Sequence, residues 1–242
     1  MLLRISWLCT VPLLAIIFPQ ALYVKKTTIR MPEAAGPKQG FIKGIEPNLK
    51  VLHVGESTVA GVGVINLKEG LTAKIAQALN LATKREIQWQ TYGVNGINFK
   101  ELLEHLQTTP AVQCDIALVT MGVNDTTKLT TLKNWNQYIN QTIESLKLTT
   151  SGPIIFTQVP PMMQFPALPA PLKYLLGLRS GILDLSLKRI CQSHSDVYHV
   201  ASEPKVKPLY MAKDGYHPSE LGYSEWAKSI GPKILSSYEK YL

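Results

Sequence analysis

Cysteine is nearly missing from this chain: three residues in 242, at positions 9, 114 and 191. No Cys-x-x-Cys pair exists, which excludes a dithiol redox site and a zinc ribbon. The spacing permits one bridge between Cys114 and Cys191, but small buried thiols are the expected state. Acidic residues are also scarce, 17 against 25 Lys and Arg, for a net charge of +8. The basic residues are scattered, with no long run and no interleaved aromatics, so nucleic acid is not an expected partner. A solvated basic surface near a membrane is. Of five histidines, no two have metal-ligand spacing on a shared helix face, so no metal is expected. There is no P-loop, and Gly61-Val62-Gly63 lacks the third glycine of a dinucleotide loop. A Gly-x-Ser-x-Gly elbow is absent too, which argues against the α/β-hydrolase arrangement. No internal repeat or low-complexity tract is present.

Charge is missing altogether from residues 5–24, between Arg4 and Lys25. About twenty apolar residues suffice to span a bilayer as a helix. Residues 1–24 therefore read as a single-pass membrane anchor, with Pro12 and Pro19 tolerated. Two alternatives are a cleaved signal, for which Pro19-Gln20-Ala21-Leu22-Tyr23 is a poor site, and a soluble buried helix. More positive charge follows the span than precedes it, which leans towards the cytoplasmic face over the periplasm. Residues 25–48 are rich in Gly and Pro without periodicity and read as a linker.

What remains, residues 49–242, is long enough for one α/β domain with a sizeable core. Short apolar runs at 49–54, 87–92, 116–121, 154–159 and 197–200 read as strands. They alternate with helical periodicity at 67–81, 99–106, 135–148, 172–191 and 220–242, with breaks expected near Gly177 and Gly231-Pro232. Five strands alternating with helices predict a parallel sheet covered on both faces. Such sheets bind ligands beyond the carboxyl ends of their strands.

The unusual residues fall at those ends. Gly55-Glu56-Ser57 follows the first strand, Gly93-Val94-Asn95-Gly96 the second, Gly122-Val123-Asn124-Asp125 the third, and Asp214-Gly215-Tyr216-His217-Pro218 the fifth. Acyl transfer needs parts of these kinds. A serine hydroxyl needs a base to take its proton, and histidine suits that task. The histidine needs an acceptor on its other nitrogen, and Asp214 lies three residues before His217. A tetrahedral intermediate needs donors, which the N–H groups of Ser57 and Gly96 and the Asn124 amide can supply.

In this order the four blocks resemble those of the SGNH (GDSL-type) hydrolase family, whose blocks are led by Ser, Gly, Asn and His. The likeness covers about residues 49–235. It implies a flavodoxin-like three-layer α/β/α sandwich on a five-stranded parallel sheet, here preceded by an N-terminal hydrophobic helix. It also implies cofactor-free ester or thioester hydrolysis by a Ser57–His217–Asp214 triad, with Ser57, Gly96 and Asn124 as oxyanion donors. One departure is Glu56, where the family usually has Asp.

The stretch 159–171 is apolar and stiffened by proline. Met162, Met163 and Phe165 are expected to line an acyl-binding groove there. The expected activity is hydrolysis of acyl esters, lipid-like ones among them. A lysophospholipase, a thioesterase or a carbohydrate O-deacetylase would use the same residues. A catalytically silent module binding acylated ligands is the alternative from another class.

Overall fold

The computed structural model describes residues 14–108, 111–202 and 207–242. The described chain opens with helix α1 (Leu14–Thr27), followed by strands β1 (Gln39–Ile42) and β2 (Ile45–Gly55). Then come α2 (Leu71–Thr83), β3 (Arg85–Gly93), α3 (Phe99–Thr108), β4 (Ile116–Thr120) and the short α4 (Val123–Thr127). Helix α5 (Leu132–Lys147), β5 (Ile154–Thr157), α6 (Leu172–Gln192), β6 (Val197–Val200) and α7 (Glu220–Tyr241) complete it.

The strands form one mixed sheet of six, in the order β1-β3-β2-β4-β5-β6. Five of them are parallel, and without β1 their order is the 2-1-3-4-5 of doubly wound flavodoxin-like sheets. The expected count of five is thus one short. The missed strand, β1, comes from the stretch read as a linker and pairs antiparallel with β3 along the edge.

Alternation along the central strands sorts their side chains to two faces. Leu49 and Val51 of β2 and Ile116 and Leu118 of β4 pack with Leu71, Ile75 and Leu79 of α2 and with Tyr223, Ile230 and Ile234 of α7. Leu52, Val54, Ala117 and Val119 point the other way. They meet Phe99 of α3, Trp135, Ile139 and Ile143 of α5, and Leu183 and Leu187 of α6. Helices therefore cover both faces of the sheet. Cys114 and Cys191 are both buried and unbridged; Cys9 lies outside the described residues.

Three local expectations are adjusted. The helix expected over 67–81 begins at Leu71, because extended Gly70 separates it from a 3-10 turn, Leu67–Glu69. Asn66 and Glu69 cap that turn reciprocally. Helix α6 runs unbroken through Gly177, where a Cβ would stand 2.6 Å from that of Met163. Helix α7 likewise runs through Gly231 and Pro232, with a Cβ at Gly231 falling 2.9 Å from that of Ala78 in α2. Both glycines mark close packing, not helix ends.

The larger correction concerns the membrane anchor. Residues 1–13 lie outside the described residues. Within the described residues, the helix from Leu14 has 14 residues. That is about 21 Å long, against about 30 Å of bilayer hydrocarbon. Its Ile17 and Val24 are buried against Met162, Phe165, Leu168 and Leu172. Gln20 donates to the Ala170 carbonyl (3.0 Å) and accepts from the Leu172 N–H (3.1 Å). Among the described residues no helix is long and apolar enough to cross a membrane. The expected single-pass anchoring is overturned, and the reading of its sidedness loses its basis. Ile17 and Val24 pack on protein, while Phe18, Leu22 and Tyr23 stay exposed.

Candidate active site

Strand register gathers the site. Gly55, the last residue of β2, pairs with Gly93 at the end of β3 and with Thr120 at the end of β4. The three loops that follow start side by side, at the point where the strand order reverses. Backbone bonds tie them together: the Val94 N–H donates to the Gly55 carbonyl (3.2 Å), and the Glu56 N–H to that of Thr120 (3.2 Å). Gly93 is required for this closeness, since a Cβ there would lie 2.0 Å from the Ala60 nitrogen.

Ser57 sits in the turn after β2 and is buried. Its Oγ is 2.9 Å from Nε2 of His217. The other ring nitrogen, Nδ1, is 2.6 Å from Oδ2 of Asp214. The second oxygen of Asp214 accepts the N–H groups of Tyr216 (2.9 Å) and His217 (3.0 Å). The loop thus folds onto its own carboxylate and fixes the ring. Burial pushes the Asp214 carboxyl up, but the His217 ring and these N–H bonds outweigh it, so its pKa lies below the ordinary value. Asp214 stands as the anion that an imidazole N–H needs opposite it. In the tautomer with a proton on Nδ1, Nε2 is free to accept from Ser57.

Glu56 points back under the loop after β4. Its carboxylate accepts the N–H of Val123 (2.9 Å), the N–H of Asn124 (3.0 Å) and the side-chain amide of Asn124 (2.5 Å). Gly122 opens that loop at φ +124°, a backbone state that favours glycine. Burial raises the Glu56 pKa to about 7 despite the three donors, with Asp125 adding to the rise. Gly96 adopts φ +85°, is exposed, and has nothing within 4 Å of where a Cβ would be.

Beside Ser57 and His217 lies a cavity of about 380 Å³. Of the three groove residues expected from sequence, Phe165 lines it. Its ring meets that of Tyr216 edge-on at 5.9 Å, and α1 buttresses it from behind. Met162 is fully buried in the packing beneath α1, and Met163 is part-exposed against Gly177. Sequence reasoning missed the contribution of α7: Gly222, Glu225, Trp226 and Ser229 also line the cavity. Their spacing of three and four marks one helix face, the signal that could have found them. Thr58 lines it too, and both Thr58 Oγ1 and Trp226 Nε1 are buried without a hydrogen-bond partner. Among the described residues, no group of three His, Cys, Asp or Glu side chains could hold a metal ion.

His53 and His199 are tied elsewhere. His53 bridges Thr72 (2.9 Å) and Thr120 (2.8 Å) inside the core, where burial lowers its pKa to about 3. His199 stands 2.9 Å from Asp184.

Comparison with known proteins agrees with the blocks. The family model for GDSL-like lipases and acylhydrolases matches residues 53–224, most of the chain. The chain belongs to the GDSL-like lipase/acylhydrolase family. It is 23% identical over 197 residues to a GDSL-like esterase of Mycobacterium tuberculosis, covering 78% of this chain. The match spans only 62% of that relative's length. Among solved structures it resembles a member of the lipolytic protein G-D-S-L family from Veillonella parvula. The TM-score there is 0.58 at 15% identity, covering 75% of this chain and 95% of that one. An acetylxylan esterase from Geobacillus stearothermophilus has a TM-score of 0.56 at 15% identity, covering 77% and 94%. At such identities these two likenesses speak for the fold alone.

Proposed function

We propose that the chain is a carboxylic ester hydrolase that works through an acyl-enzyme on Ser57. The observation that carries this reading is the hydrogen-bonded series Ser57 Oγ, His217, Asp214 at 2.9 and 2.6 Å. Family membership supports it independently. Ser57 Oγ attacks the ester carbonyl carbon while its proton passes to Nε2 of His217. The carbonyl π bond opens to an oxyanion, which the N–H groups of Ser57 and Gly96 and the Asn124 amide receive. The intermediate collapses, the C–O bond to the alcohol breaks, and His217 returns the proton to the leaving oxygen. Water then repeats the sequence on the acyl-enzyme and frees the acid and Ser57. Asp214 keeps the Nδ1 proton in place and faces the imidazolium. A thioester would follow the same steps with sulfur leaving.

The substrate side is read from the cavity. Phe165, Val123, Pro160 and Pro161 make one apolar part of its lining, which suits a short acyl chain or a lipid-like one. A second reading, an acetyl group on a carbohydrate, is favoured by Glu225, Trp226 and Ser229 in the same cavity. An aromatic ring beside polar groups suits a hydroxyl-rich alcohol.

The test is hydrolysis of p-nitrophenyl acetate and butyrate by wild type and Ser57→Ala, with fluorophosphonate labelling alongside. Turnover and labelling should both vanish in Ser57→Ala. A wild type that neither hydrolyses nor labels would instead favour the silent acyl-binding module. Acetylated xylooligosaccharides against longer-chain esters then separates the two substrate readings.

A further inference from the structure

The oxyanion donor on Asn124 is a side-chain amide, and an amide can face either way round. One orientation offers two N–H donors; the flipped one offers an acceptor that would repel an oxyanion. Something must choose between them. Oε2 of Glu56 takes both the backbone N–H and the side-chain N–H of Asn124, while Oε1 takes the N–H of Val123. An ionised carboxylate only accepts, so it selects the orientation with Nδ2 towards it. That uses one of the two amide N–H groups and leaves the second for substrate.

We propose that Glu56 is the positioning residue of the oxyanion hole, acting on the reaction through the Asn124 side chain. The inference rests on the ester-hydrolase reading above. It gives the carboxylate beside the nucleophile a task that Ser57 and His217 do not share, since all of its side-chain hydrogen bonds run to the loop after β4. It also makes that task conditional on charge. A protonated Glu56 can donate to the Asn124 oxygen, which removes the constraint on the amide. Burial holds this carboxyl near neutrality. The group facing it from α4 is Asp125, itself raised to about 6 by burial. Asp125 accepts from the Phe99 N–H and the Thr130 hydroxyl. Behind it, Lys128 of the same loop, Glu101 of α3 and Arg179 of α6 supply the remaining charges. On β2, which ends one residue before Glu56, burial keeps His53 neutral.

The experiment is a double-mutant cycle on p-nitrophenyl acetate with Glu56→Gln, Asn124→Ala and the pair, reading kcat and KM separately across pH 5–9. Asn124→Ala should cost about 10²–10³ in kcat. Glu56→Gln should cost about 10- to 100-fold, the worth of a bond to a charged group, with KM nearly unchanged. The double variant should be no slower than Asn124→Ala, because Glu56 has nothing left to position. The kcat profile of Glu56→Gln should also lack one ionisation present in the wild type. Losses that multiply in the double variant, or identical pH profiles, overturn the proposal. Should Glu56→Gln show no cooperative melt, Glu56→Asp takes its place in the same cycle, and multiplied losses again overturn it. A wild type whose activity depends on Ser57 but whose losses multiply leaves the hydrolase reading standing. A wild type with no activity and no fluorophosphonate labelling removes both.

Discussion

Asp214 is buried and still sits below the ordinary carboxylate range, because its partners outweigh its desolvation. Three hydrogen bonds from residues within three positions of it do that work, so the dyad is a local product of the segment Asp214-Gly215-Tyr216-His217. This is why it could be read from sequence: a carboxylate and a histidine three apart on one tight loop have few other arrangements. An amide at 214 would accept equally well or donate, and the histidine would lose its fixed tautomer. Asp214→Asn should therefore lower kcat by about 10⁴-fold with fluorophosphonate labelling slowed in step. A loss under tenfold would mean that His217 is oriented by something else. The tie between Glu56 and Asn124 was not legible in this way. The two residues are 68 positions apart, and only the register of Gly55 against Thr120 brings them together.

At the scale of elements, periodicity found all five parallel strands and the longer helices, but not the five-residue α4, because burial on a sheet face or helix face leaves a repeating mark only over several turns. It missed β1, whose four residues include Gly40 and alternate exposed with half-buried positions; an edge strand of that length carries almost no pattern. It misjudged α1, because hydrophobicity measures what leaves water and not whether lipid or protein receives it. It also read Gly177 in α6 as a break; Gly181, in the same helix, has the opposite environment. A methyl at Gly177 would collide with the side chain and backbone of Met163, at 2.6 and 3.0 Å. A methyl at Gly181 would meet nothing within 4 Å. Gly181→Ala should raise stability by about 0.5–1 kcal/mol through helix propensity alone. Gly177→Ala gains the same propensity but must move the Met162–Gln164 turn, so its melting temperature should fall. Because that turn leads directly into Phe165, the Gly177 variant should also change the chain-length preference of the proposed ester hydrolysis, while Gly181→Ala should not. Equal melting shifts in the two variants would show that the Met163 contact costs nothing.

For the whole molecule, the buried carboxyls set how stability follows pH. Glu56 and Asp125 are raised by burial from 4.5 to about 7 and from 3.8 to about 6. A carboxyl whose folded pKa is raised binds its proton more tightly in the native state. Its contribution is fully present below the unfolded value and is lost as pH rises through the folded one. Asp214 works in the opposite sense: its contribution is present above its ordinary value and is lost as pH falls through its lowered one. Between these limits, from about pH 4 to pH 8, the two raised carboxyls lower stability with rising pH, and His53, held to about 3 by burial, opposes them up to its ordinary 6.5, because below that the unfolded imidazole takes the proton. The net charge of +8 acts over long distances on the surface and is largely screened at 0.15 M salt. Thermal melts at that ionic strength should therefore give a melting temperature that declines from pH 5 to pH 8. Glu56→Gln should flatten the decline, since the group that loses its proton last is gone. A wild-type melting temperature that is level or rises over this range would mean that the opposing titration of His53 outweighs both carboxyls. The direction also sets stability against activity. If an ionised Glu56 is what holds Asn124, the pH that best forms the oxyanion hole is one at which the fold is already past its most stable point.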